Sequence, residues 1–135
     1  MQISNQTIQI LKNFAMINPS IAFEPGGMLQ TIATSKSIMA KAKITEQLTT
    51  SGAIYDLSRF LGVISLFEKP EFDFTETQVV VRGGRSSVNY TFADSSMIIT
   101  PPKDKQITID QPDVEIDLSG NKIQAVLKAA AIYYV

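Results

Sequence analysis

The side chains that most often do chemistry near neutral pH are missing, because the 135 residues include no histidine and no cysteine. Their absence excludes Ser-His-Asp and Cys-His nucleophile systems, thiolate metal sites and disulfides. Carboxylates, lysine, arginine and tyrosine remain. Four acids, Glu68, Glu71, Asp73 and Glu76, cluster around Pro70, yet the turn-like stretch reads as a solvated loop rather than an acid/base pair or a metal site. A hydrolase built on these carboxylates is the weakest reading, and no enzymatic activity, metal or cofactor is expected. Arg82-Gly83-Gly84-Arg85 admits two readings. A two-residue turn would set the arginines facing each other across a ladder with an anion between them. A longer loop would make them a solvated hairpin tip. No GxxxxGK[ST] or GxGxxG pattern is present.

The remaining candidates are single bases on helices, so the helices must be found first. Ser4 or Asn5 can cap a helix whose apolar positions Ile8, Leu11 and Ala15, with Ile10, Phe14 and Ile17, repeat at helical spacing up to Pro19. A second starts at an Asp56 cap and runs through Leu57, Phe60, Leu61, Ile64 and Phe67 toward Pro70. A third is expected from Ser119 through Ile123, Val126, Leu127 and Ala130. Between them lie β-type runs at Ile21 to Glu24, Met28 to Thr34, Ile38 to Ile44, Leu48 to Tyr55, Gln78 to Arg82 and Ser87 to Phe92, with Met97 to Ile99 a further candidate. Val114 to Asp117 and the end at Ile132 to Val135 also read as strand-like.

A unit of short strand, capping residue, helix and several strands recurs, with junctions at Ile3-Ser4, Tyr55-Asp56 and Ile116-Asp117. The third copy is expected to be incomplete. Pro101-Pro102, the charges Lys103-Asp104-Lys105 and Pro112 mark a connector. Residues 1–100 therefore read as a first domain, 101–113 as a connector, and 114–135 as the opening strand and helix of a second. No run approaches the roughly 18 apolar residues that span a bilayer. No signal peptide precedes the first helix, so an intracellular setting is expected.

The chain is nearly neutral, with 12 bases and 13 acids, and the distribution says more than the sum. Helices drawn at 4–17, 57–68 and 119–131 hold four bases, Lys12, Arg59, Lys122 and Lys128, against one acid, Glu68. Ordinary surface helices mix Glu with Lys for mutual support at i,i+4. A face of Gln, Asn and Ser with isolated bases suits a surface that lies near phosphates without gripping them. At about 8 Å in water one charge pair contributes only about 0.5 kcal/mol, so such a face can centre a duplex and still slide. Lys122 and Lys128 stand about 120° apart around their helix, so they do not share one narrow stripe.

LKNFAMIN (Leu11 to Asn18), AIYDLSRFLGVISL (Ala53 to Leu66) and GRSSVNYTFAD (Gly84 to Asp94) resemble, in order and spacing, the replicative sliding clamps of T-even-type bacteriophages. The middle segment is the most specific, and the resemblance extends more loosely through Ile123 to Lys128. It implies an α+β DNA-clamp fold of repeated strand-helix-strands units, with antiparallel sheets outside and helices on one face. It further implies a homotrimeric ring around duplex DNA, bound without sequence preference. Such a ring is opened by an ATP-driven clamp loader and confers processivity on DNA polymerase in the cytoplasm of the infected bacterial host. Lys12, Arg59, Lys122 and Lys128 would face the DNA, and partner peptides would dock near Pro101 to Pro112. The competing reading is a β-rich phage structural or assembly protein with no DNA role.

Overall fold

The computed structural model describes residues 1–103, 108 and 110–133. Helix α1, Asn5–Ile17, begins because the Ser4 hydroxyl accepts from the Thr7 amide at 3.2 Å. It buries Thr7, Leu11 and Phe14, spaced to share one face. Its exit is fixed by Asn18, which is 2% exposed. The Asn18 amide group donates to the Ile32 carbonyl at 2.9 Å and to that of Ile99 at 3.3 Å, and its Oδ1 accepts from the Ser20 amide at 2.9 Å. A buried amide whose atoms are satisfied in this way tolerates few replacements.

Strands β1 (Ile21–Phe23), β2 (Gly26–Ile32), β3 (Met39–Leu48) and β4 (Gly52–Ile54) follow. β1 pairs antiparallel with β4, Ile21 opposite Ile54, and encloses the β2–β3 hairpin in sequence. Helix α2, Leu57–Ser65, is capped by Asp56, whose carboxylate accepts from the Arg59 amide at 3.0 Å. Leu57 donates its amide to the Pro19 carbonyl at 2.9 Å, which ties the start of α2 to the end of α1. Strands β5 (Glu71–Phe74), β6 (Gln78–Gly83) and β7 (Ser86–Thr91) form an antiparallel meander.

Both helices and all three sheets feed one core. Leu57, Phe60, Val79 and Val81 are at most 2% exposed, and Phe23 meets Phe74 and Phe92 edge-on at 5.8 and 5.6 Å. Residues 1–103 make up this unit; residues 104–135 form a second. The second holds helix α3, Gly120–Tyr133, preceded by Ser119, whose hydroxyl accepts from the Lys122 amide at 3.4 Å. No described residue of α3 is buried. Of the expected connector 101–113, residues 104–107 and 109 lie outside the described residues, as do Tyr134 and Val135.

Several expectations are corrected. Helix α2 stops at Ser65 and not at 68, because Leu66 and Phe67 donate to carbonyls three residues back, Val63 and Ile64, in a tightened last turn. The acidic stretch after it is only partly a loop: Glu68 and Glu76 lie in bends, whereas Glu71 and Asp73 lie in a strand. Glu71–Phe74 is β5, alternating buried Phe72 and half-buried Phe74 with outward Glu71 and Asp73, a period-two pattern that four nearby acids disguise. Met97 to Ile99 does not form a strand; Ser95–Met97 is a 3-10 turn capped by Asp94. Ile3 lies outside any strand, although Met1 exchanges two main-chain hydrogen bonds with Phe72. Val114 to Asp117 has no regular structure, the hydroxyl at the start of α3 is that of Ser119 and not the carboxylate of Asp117, and Ile132 and Tyr133 belong to α3.

Candidate nucleic-acid interface

With the helix ends in place, the charge pattern becomes cleaner than the sequence indicated. Glu68 falls outside α2, so the three helices carry four bases and no acid. On α1, Asn5, Gln9, Lys12 and Met16 form one exposed stripe, with Gln6 and Asn13 beside it, opposite the buried Thr7, Leu11 and Phe14. On α2, Ser58, Arg59, Gly62 and Ser65 are exposed opposite Leu57, Phe60 and Ile64. The two helices pack against each other, so Lys12 and Arg59 stand on neighbouring elements of one unit. None of the ion pairs among the described residues involves Lys12 or Arg59. Lys122 and Lys128 are exposed on α3, in the other unit, on faces about 120° apart.

The positions of α1 and α2 rest on different devices. At α2 the cap is local, and the far side of the helix is held by the Phe60 ring edge-on to Tyr90 at 5.2 Å. The Tyr90 hydroxyl donates to the Asp56 carbonyl at 3.4 Å. At α1 a residue from β3 completes the cap. Glu46 accepts from the Ser4 amide through one carboxylate oxygen, and from the Thr7 hydroxyl at 2.6 Å through the other. Burial pushes this carboxyl up, but the donors from Ser4 and Thr7 outweigh it and bring it down to about 2. Neither Glu46 nor Asn18 was singled out from the sequence. A signal for Glu46 did exist: it shares the inward register of β3 with Ala40, Ala42, Ile44 and Leu48, and an acid on an inward face requires a partner.

The other candidate constellations are accounted for structurally. The β6–β7 turn is Gly84-Arg85, flanked by the Gly83–Ser86 pair. Gly84 lies at φ 58°, as the first position of a type II′ turn requires. Arg82 therefore stands across from Ser87 and Glu71, and pairs with Asp73 at 3.7 Å. The arginines do not face each other. Glu71 accepts from the Gln2 amide group at 2.8 Å and pairs with the Met1 ammonium at 3.1 Å, contacts that lower its pKa. Among the described residues no group of three His, Cys, Asp or Glu side chains could hold a metal ion, and no helix is long and apolar enough to cross a membrane.

The site is thus a capped helix pair packed on antiparallel strands, whose outward faces carry Lys12 and Arg59 and no acid. Residues 4–100 match the DNA polymerase processivity factor family, and the chain belongs to that family. It is similar to the sliding clamp of Vibrio phage KVP40, 32% identical over 133 residues, covering 97% of this chain and 60% of that relative. It is also similar to the sliding clamps of Escherichia phage RB69 and Enterobacteria phage T4, at 32% and 30% identity, covering 96% of this chain and 57% of each. The chain thus spans somewhat under two thirds of the length of these relatives.

Proposed function

We propose that the protein acts as part of a sliding clamp that encircles duplex DNA without sequence preference and tethers the replicative DNA polymerase to its template. It performs no chemistry of its own and needs no cofactor. The observation that carries this reading is the acid-free outward surface of α1 and α2, with Lys12 and Arg59 exposed and outside every described ion pair, in a chain of the processivity factor family. Isolated bases among Gln, Asn and Ser give weak, screened attraction to phosphates. Topological linkage then supplies the retention that affinity does not.

Lys122 and Lys128 extend the same DNA-facing role to α3. A homotrimeric ring, opened by a clamp loader in the cytoplasm of the infected bacterium, completes the reading. Primer extension on singly primed circular and linear templates, with polymerase, loader and ATP, tests it. Addition of the protein is expected to lengthen products on the circle, and free ends on the linear template are expected to reduce the gain. Product lengths unchanged on both templates would overturn it.

A further inference from the structure

Helix α1 carries Lys12 but has no acid in its first turn and no base in its last, so at its N-terminal end the local sequence supplies one capping side chain, the Ser4 hydroxyl. The second comes from 42 residues away. Glu46 reaches from β3 to the Ser4 amide and the Thr7 hydroxyl, while Ser4 and Thr7 bond each other through their hydroxyls at 3.1 Å and through the Thr7 amide at 3.2 Å. The network is closed, since both carboxylate oxygens and both hydroxyls are engaged. Beside it lies a cavity of about 40 Å³ whose walls include Ile3, Leu11, Ile44, Leu48 and Phe74 along with Glu46. Apolar packing between α1 and the β2–β3 hairpin is therefore incomplete at this end of the helix. A joint with a void in it is under-determined by van der Waals contact, and a charge-assisted pair of hydrogen bonds has fixed length and direction.

We infer that Glu46 is a positioning residue of the DNA-facing surface: its carboxylate anchors the first turn of α1 to β3 and so sets how that helix, and Lys12 two turns along it, stands on the sheet. The negative charge also lies where the N-terminal end of the helix dipole favours it. Helix α2, with its own Asp56 cap, needs no such strut, so the anchor acts on one of the two helices alone. The inference rests on the reading that α1 faces DNA.

Amide hydrogen exchange and duplex retention at low salt, measured on the protein and its variants, test the two parts separately. Glu46→Gln keeps an acceptor but loses the charge, and Glu46→Asp keeps the charge but is one methylene too short. Both are expected to speed exchange in the first turn of α1 by roughly tenfold while leaving α2 unchanged. Thr7→Val, which removes one donor at constant volume, is expected to give a smaller acceleration in the same turn, and serves where the Glu46 variants fold poorly. In duplex retention, Glu46→Gln is expected to be non-additive with Lys12→Ala and additive with Arg59→Ala. Equal acceleration in α1 and α2, or none in α1, would overturn the anchor. Acceleration confined to α1, with retention unaffected by Lys12→Ala, would instead overturn the DNA-facing reading and leave the anchor standing.

Discussion

Helices α1 and α3 are close in length, yet one buries Thr7, Leu11 and Phe14 while the other buries nothing among its described residues. In α3, Ile123, Val126 and Leu127 recur at helical spacing and remain 45%, 63% and 63% exposed. The difference lies in what surrounds each helix. The β2–β3 hairpin covers α1, whereas no strand exists among the described residues of the second unit. An amphipathic sequence specifies which face of a helix seeks cover; the stability comes only with the cover itself.

The largest expected effect follows directly. Phe60→Ala, at a site 2% exposed and stacked edge-on with Tyr90, is expected to cost about 3–5 kcal/mol. Leu127→Ala in α3 is expected to stay within about 0.5 kcal/mol. Urea unfolding followed by circular dichroism compares them, and equal losses would mean that α3 is covered after all.

A middle-sized effect concerns Glu46. The folded protein holds its carboxyl at about 2, against an ordinary 4.5, so its contribution is complete above about pH 4.5 and is lost as pH falls toward 2. Glu46→Gln is expected to cost about 1–2 kcal/mol at pH 7, with the gap from the parent closing over that acid range. Unfolding midpoints measured from pH 7 down to pH 2.5 check the sign; a gap that widens on acidification would contradict it.

Gly83→Ala should have a comparable or smaller cost. A Cβ there would lie 2.4 Å from Cδ1 of the half-buried Phe67, so the ring must shift, at about 1 kcal/mol or somewhat more. The smallest effect on stability is expected from Lys12→Ala and Arg59→Ala, within about 0.5 kcal/mol, because both side chains are exposed and form none of the described ion pairs. Thermal unfolding of each variant tests this.

Much of the arrangement was legible in the sequence because it is local. Ser4 and Asp56 announce helix starts through side-chain geometry that depends on the next three residues, and the segment from Ala53 to Leu66 carries both the cap and the family resemblance. The outward placement of Lys12 and Arg59 followed from the 3.6-residue period. What escaped depends on distant partners. Glu46 and Asn18 are polar residues whose roles exist only once β3 meets α1 and Ile32 meets the helix exit. β5 escaped because Glu71 and Asp73 satisfy themselves through Met1, Gln2 and Arg82, contacts that no local pattern contains. At Arg82-Gly83-Gly84-Arg85, the turn centred one residue later than the glycine pair implied, and that single step placed Arg82 beside Asp73.

The proposed function requires the outward faces of α1 and α2 to meet DNA. Reversing both charges, Lys12→Glu with Arg59→Glu, tests it most directly, with retention of the protein on circular duplex read as a function of salt. Shortened retention at low salt, converging on the parent as salt rises and with unfolding midpoints unchanged, is the expected result. Retention equal to the parent at every salt concentration would contradict the account.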